Sequence, residues 1–462
     1  MATVLRARAP VSAVREPLAA RIARAVLEMP AENLSAELVE KLKVCLMDLI
    51  GCAYEARHLP WSRQAVSCVE IAGSRGAAII GEPLAATLAD AAFANAVLGH
   101  GLVREDMHSG SISHLGIVVL PTLLALAQAR KVSGRDFIAA AVAGYETGGR
   151  VGRALLDAEV AKIHRPTGLT GPIAAAAAGA RLLGLELEAA TSAVALGANA
   201  TLGFNQWAHT GGSEMFFQAG FAARNAVTSV RLAQKGAFAS PTALDGEAGL
   251  FASLGKRAAA GDVELFRGTP EILAVYHKPV PACNFAQTPC QAALRIAGET
   301  KLPGDRIAAI RVRVSRAGAL YPGCDFCGPF EHILQAKMSI QYNVAAALIE
   351  GGVTEKNFAL LNDPRLQRLI GLTTLSIDDA MTQAYPDRQG GEVEVTDTSG
   401  AIHFVRLDDV VHASAEDVLA RFRSATEGEM GAARAREIER FIDNLEHSED
   451  AGQLGVLLRA VK

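Results

Sequence analysis

With 462 residues, half of them hydrophobic and 20% charged, the chain is long enough for two or three folded domains and too apolar to stay disordered. A formal net charge of -4 and only 5% aromatic residues exclude a nucleic-acid surface built on phosphate neutralisation or base stacking. Seven cysteines, an odd number scattered over a large chain, predict reduced thiols and a cytoplasmic setting rather than a disulfide framework.

The N-terminal stretch MATVLRARAPVSAVREPL disperses arginines through a segment with no apolar centre, which predicts an unstructured tail, with a weak organellar presequence as the alternative, and not a secretory signal. No apolar run reaches the roughly 18 residues of a membrane span. From Ser35 to about Ala260 the pattern is helical. Ser35 is placed to cap SAELVEKLKVCLMDLIGCAY, in which Leu38, Leu42, Leu46 and Leu49 recur at helical spacing.

Next comes HGLVREDMHSGSISHLGIVVLP, His100 to Pro121, which packs His100, His108, His114, Glu105 and Asp106 into one short polar segment. Such a density of groups able to move protons near neutral pH marks a candidate catalytic loop. Gly110, Ser111 and Ser113 suit a loop whose backbone approaches a ligand. Behind it, Gly116 to Ala127 predicts a buried helix with Pro121 in its first turn. IHRPTGLTGP then puts His164 and Arg165 just ahead of an alanine-rich helix whose N-terminal amides could receive a carboxylate. GPIAAAAAGARLLGL and AATSAVALGANA are packing helices, their small residues allowing close approach.

After Pro270 the pattern changes. YHKPVPACN holds Lys278 on a stiff segment, a reach that suits an anion clamp. RIAAIRVRVS alternates Ile310, Val312 and Val314 against Arg311 and Arg313, a half-buried strand. LYPGCDFCG offers Tyr321 and a single CxxC pair, too little for zinc, and His108 and His114 lack helical metal-ligand spacing, so no metal is expected. AKMSIQYNVAAALIEGG, Ala336 to Gly352, reads as one helix ended by two glycines. EVEVTDTSGAIHFVR is a hairpin turning at Ser399 and Gly400, and from Ser414 helix returns behind a Ser414–Asp417 capping box.

The predicted fold class is therefore mainly α. A large all-helical domain is built from both chain ends, residues 1–268 and 407–462, and a smaller α+β lid domain, residues 269–406, is inserted, with a small-molecule site in the cleft between them. There is no GxGxxG after a strand, no GxxxxGK(S/T) and no GxSxG, so no nucleotide cofactor or serine nucleophile is expected. What remains is cofactor-free removal of a proton next to a carboxylate, which needs a base and a cation or hydrogen-bond donors for the developing enolate-like charge.

Six stretches in the same order carry a resemblance to a known family: DLIGCAYEA, SHLGIVVLPTLLALAQ, AGYETGGRVGRAL, IHRPTGLTGPIAAAAAGARLLGL, FFQAGFAARNAV and KPVPACN. By them the chain resembles the MmgE/PrpD family of dehydratases, decarboxylases and epimerases of small organic acids. The resemblance implies a helical domain made from the two chain ends, a smaller α+β lid, a homodimer and no cofactor. It also implies a site. The family's loop histidine falls on His114 and its second histidine, in an HPT-like motif, on His164, while the lid lysine matches Lys278 and the lid tyrosine Tyr321. Glu105 and Asp106 keep the acidity of the loop, and His108, Ser113, Tyr145 and Arg165 are placed near the substrate.

Two departures stand out. Where dehydratase and decarboxylase members carry DFDD the loop reads VRED, so Val103 replaces the first Asp; where they carry a TKPLH-like motif the chain reads EMFFQ, so Met215 takes the place of a substrate-binding Lys. Losing an acid and a cation together implies a substrate less charged than 2-methylcitrate or cis-aconitate, with an apolar group against Met215 and Phe216. Loss of a β-group, loss of carbon dioxide and return of the proton to the other face all stay open, as does a catalytically degenerate member that binds a small acid or serves as a scaffold.

Overall fold

The structure, a computed structural model, describes residues 15–73, 76–201 and 203–460; the tail expected over the first residues lies outside these up to residue 14. Ser35 accepts the Leu38 amide and starts α1 (Ala36–Ala56), which buries Leu42, Leu46, Leu49 and Ile50. Thr87 caps α2 (Leu88–His100) in the same way; apolar on nearly every side, this helix is buried from Ala91 onward and delivers His100 into the interior at its last residue.

The polar loop follows, with a two-residue strand β1 (Met107–His108), and leads into α3 (Gly116–Ala127), every residue of which is buried. Pro121 lies inside α3, not in its first turn as expected. The helix already begins at Gly116, whose amide donates to Asp106 Oδ1 at 3.2 Å, so Pro121 falls in the second turn and the Ile117 carbonyl loses its helical donor. α4 (Gly134–Leu155), α5 (Pro166–Leu182) and α6 (Glu214–Gln234) pack around α3, small residues setting the spacing: Gly144 faces Val119 and Ala178, and Gly171 faces Val118.

β2 (Val275–Tyr276) then pairs antiparallel with β1, Met107 opposite Tyr276 and His108 opposite Val275. Beyond it come α7 (Gln287–Thr300), β3 (Ile307–Val314), α8 (Ile340–Glu350), β4 (Thr373–Ile377), β5 (Gly391–Asp397) and β6 (Ile402–Leu407). The four strands from β3 to β6 form one sheet in the order β4-β3-β5-β6, parallel only between β4 and β3. Ile310, Val312 and Val314 point into the core, while the exposed Arg311 and Arg313 pair with Glu394 and Glu392. The helix expected from Ala336 to Gly352 is in fact two, Ile333–Met338 and α8, because Ser339 between them turns its hydroxyl to accept the Tyr342 amide and caps the second.

α9 (Ala415–Met430), behind the expected Ser414–Asp417 capping box, and α10 (Ala432–Asp443) return to pack on α1, and Phe422 and Ile442 share a core with Leu42 and Leu46. The fold is mainly α with a small sheet. A second core mixes both parts, joining Val103, Met107 and Met215 to Phe285, Tyr321 and Val312, and the candidate site lies in that seam. No helix among the described residues is long and apolar enough to cross a membrane.

Candidate active site

The polar loop folds inward, burying every ionisable group it carries from Arg104 to His114. Glu105 Oε1 sits between two imidazoles, 2.5 Å from His100 Nδ1 and 2.8 Å from His114 Nδ1. Arg165 Nη2 is 3.1 Å from His100 Nε2. A guanidinium only donates, so His100 Nε2 is the acceptor and Nδ1 carries the proton given to Glu105. His114 Nδ1 also faces the Asp106 carbonyl at 3.0 Å; between two acceptors it must hold the proton, which leaves the lone pair on Nε2.

Burial alone would raise the Glu105 carboxyl, but the ring N–H groups of His100 and His114 outweigh it and hold Glu105 well below the usual carboxylate range. Burial pushes His114 down to about 3 against the pull of Glu105, so its ring is neutral. The result is an ionised acid bracing a neutral imidazole whose free nitrogen makes no hydrogen bond among the described residues.

Asp106 has a different task. It accepts from the Tyr145 hydroxyl and the Gly116 amide, and burial pushes its carboxyl up to about 6. A Cβ on Gly116 would fall onto both Asp106 Oδ2 and the Tyr145 hydroxyl. Gly116→Ala is therefore expected to cost about 1 to 3 kcal/mol, the range for overpacking a core, seen as a lowered midpoint of thermal unfolding. An unchanged midpoint would show that this contact has slack.

His108 bonds Ser111 Oγ through Nδ1 at 2.8 Å and Glu271 Oε2 through Nε2 at 2.6 Å, and Glu271 in turn takes Arg150 and Arg153. Ser113 Oγ donates to the Ser111 carbonyl and accepts from Thr170. Both residues shape the loop from behind. Val103 and Ile112, β-branched residues held at φ 58° and 50°, are strained positions on the loop's inner side.

The loop walls a small, partly open cavity with about 20 Å³ of free space, room for about one water, so an organic acid enters only as its walls move apart. His114, Arg165, Asn284 and Tyr321 form its polar side, and Val103, Met107 and Met215 part of its apolar side. Arg165 Nη1 donates to the Tyr321 hydroxyl at 3.2 Å, and burial raises the Tyr321 pKa, so the phenol keeps its proton.

The remaining expected residues lie elsewhere. Phe216 stacks on Trp61 with ring centroids 4.0 Å apart, behind Met215. Lys278 is fully buried, donates to the Ala282 carbonyl at 3.2 Å and does not border the cavity; burial lowers it to about 8, and its charge is felt by Glu105 and His114. His164 stays outside, half-buried against Phe204, because the Pro-Thr pair that opens α5 is preceded directly by Arg165, and it is Arg165 whose side chain enters the cavity.

His100 received no role from the sequence beyond its place in the loop; a lone imidazole at the end of an apolar helix gives little signal. Asn284 sits within KPVPACN but beside more conspicuous residues, and Trp207 and Met338 reach the cavity only through tertiary packing. His100, Glu105 and His114 have ligand atoms within 4.8 Å of one another, the spacing of a metal site. Among the described residues no fourth His, Cys, Asp or Glu joins them, and the cationic Arg165 and Lys278 beside them oppose a further cation.

Residues 20–261 match the MmgE/PrpD N-terminal domain and residues 280–447 the MmgE/PrpD C-terminal domain. The chain is similar to the cis-aconitate decarboxylase of Aspergillus terreus, 24% identical over 93% of each chain. It is likewise 24% identical to the human cis-aconitate decarboxylase, over 95% of this chain and 93% of that protein. With the cis-aconitate decarboxylase-like protein oryM of Aspergillus oryzae identity is 33%, but the match covers 46% of this chain and only 45% of that relative.

Proposed function

The chain belongs to the MmgE/PrpD family, and from that premise we propose that it is a cofactor-free lyase that removes a proton α to the carboxylate of a small organic acid less charged than 2-methylcitrate or cis-aconitate. The observation that carries this reading is His114: a neutral imidazole, braced through Nδ1 by the ionised Glu105, with an unengaged Nε2 on the wall of the cavity. In this reading Nε2 takes the α-proton. The imidazolium so formed is stabilised by Glu105, and the negative charge on the substrate by Arg165 and the Tyr321 hydroxyl. His100, locked between Arg165 and Glu105, keeps both in register.

A family of dehydratases and decarboxylases supports loss of a β-substituent or of carbon dioxide as the next step, ahead of epimerisation. We propose a homodimer in the cytoplasm; the exposed Ile163 and Phe204, flanking the His164 ring, supply apolar surface for such an interface.

The test is incubation with mono-, di- and tricarboxylic acids in heavy water. Deuterium at the α-carbon of one recovered acid is expected. A panel without exchange or turnover would instead favour a degenerate member that only binds.

Lys278 gives the reading a pH signature. Near pKa 8 it is a cation at neutrality, so raising the pH through that value removes positive charge and weakens binding of a carboxylate. kcat/KM is expected to fall along that limb, and Lys278→Arg to move the fall to higher pH. A profile flat through the range would leave Lys278 a structural charge.

A further inference from the structure

Five Lys or Arg side chains are buried among the described residues: Lys43, Arg104, Arg165, Lys278 and Lys337. Three have carboxylate partners, Lys43 with Glu40 and Glu446, Arg104 with Glu55 and Lys337 with Glu355. Arg165 and Lys278 have no such ion pair, and both belong to the same seam. A buried cation is costly unless something anionic completes it. Lys278 turns to a main-chain carbonyl and leaves the cavity wall to Arg165.

Arg165 is the cation that faces the cavity, and its donors meet only neutral acceptors: the Tyr321 hydroxyl at 3.2 Å, His100 Nε2 at 3.1 Å and Met215 Sδ at 3.5 Å. A planar fork with no counter-ion, beside a cavity whose other polar groups are His114, Asn284, Tyr321 and the Cys283 thiol, is a socket for one carboxylate.

We infer that the substrate is a monocarboxylate, its one carboxylate on Arg165 and its remainder neutral against Val103, Met107 and Met215, and that the reaction is reversible elimination of water from a 3-hydroxy acid. The inference rests on the reading of His114 as the base. His114 Nε2 takes the α-proton, the C–H electron pair becomes the carbon–carbon double bond, and the C–O bond breaks with its pair on oxygen. The proton from His114 joins that oxygen, so acid and water leave in balance. Loss of carbon dioxide would instead discard the only carboxylate and strand Arg165 buried without a partner.

Calorimetric titration of the full chain with crotonate, mesaconate and cis-aconitate tests the charge class directly, since binding of an unreactive acid needs no proton transfer. Crotonate is expected to bind at least about tenfold more tightly than the di- and tricarboxylate. Arg165→Gln should weaken crotonate by about tenfold or more, and Arg165→Lys, which keeps the charge, by less. Mesaconate or cis-aconitate binding as well as crotonate, or no saturation by any of the three, overturns the monocarboxylate, and this wild-type ranking stands even if the Gln variant does not fold. Crotonate binding that is indifferent to Arg165→Gln overturns the socket. Carbon dioxide released from any acid in the deuterium panel overturns the elimination. Absence of deuterium exchange alongside intact, Arg165-dependent crotonate binding would reject His114 as base while keeping the charge class.

Discussion

His114→Gln is expected to lower turnover by about 10²-fold or more, the usual contribution of a general base, while leaving the fold intact. Glutamine can still donate to Glu105 and to the Asp106 carbonyl, the two partners of His114 Nδ1, so the loop keeps its hydrogen bonds. It has no basic nitrogen to put where Nε2 stands. Steady-state rates on an acid found by deuterium exchange, with circular dichroism of the same sample, decide the point. A variant that keeps its rate would take His114 out of the chemistry.

Glu105→Gln is expected to cost still more, on the order of 10³-fold in kcat, as when the orienting acid of a catalytic triad becomes an amide. An amide N–H can point at His114 Nδ1 and force its proton onto Nε2, the wrong tautomer for a base. Stability should change too, with a definite sign. Glu105 is held well below its unfolded value, so its contribution is present above the unfolded pKa and lost as pH falls through the folded one. Urea unfolding should therefore show the variant less stable than wild type at neutrality and the gap narrowing in acid. A gap that widens in acid, or a rate that survives, would reduce Glu105 to a packing charge.

Much of this was legible from the chain alone. The cap at Ser35, the capping box at Ser414 and Asp417 and the alternation around Ile310, Val312 and Val314 are local signals and stand where read. The composition of the loop from His100 to His114 marks it as a candidate site, and a cavity forms against it. What misled was register and context. Ser339 looks like one polar residue within a helical run, yet it breaks that run because its hydroxyl competes for a backbone amide. His164 and Arg165 differ by one position, and which of two neighbours points inward depends on the cap of α5, which spacing does not reveal. Lys278 on its proline-stiffened segment lies in the seam within electrostatic reach of Glu105 and His114, but its ammonium turns to the Ala282 carbonyl and does not line the cavity.

The β1–β2 pairing bears on how such enzymes could be recombined. Met107 and His108 share a ladder with Val275 and Tyr276, His108 is fastened to Glu271, and the Tyr385 hydroxyl reaches the Ser109 carbonyl at 3.3 Å. The loop that carries His114 is thus stitched to the segment that leads into the sheet-bearing part. A chimera that imports only that part from a relative would break main-chain hydrogen bonds beside His114 and expose the ends to water. The loop, the linker and the wall around Asn284 form one inheritable unit, and exchange of specificity between relatives has to move all three together.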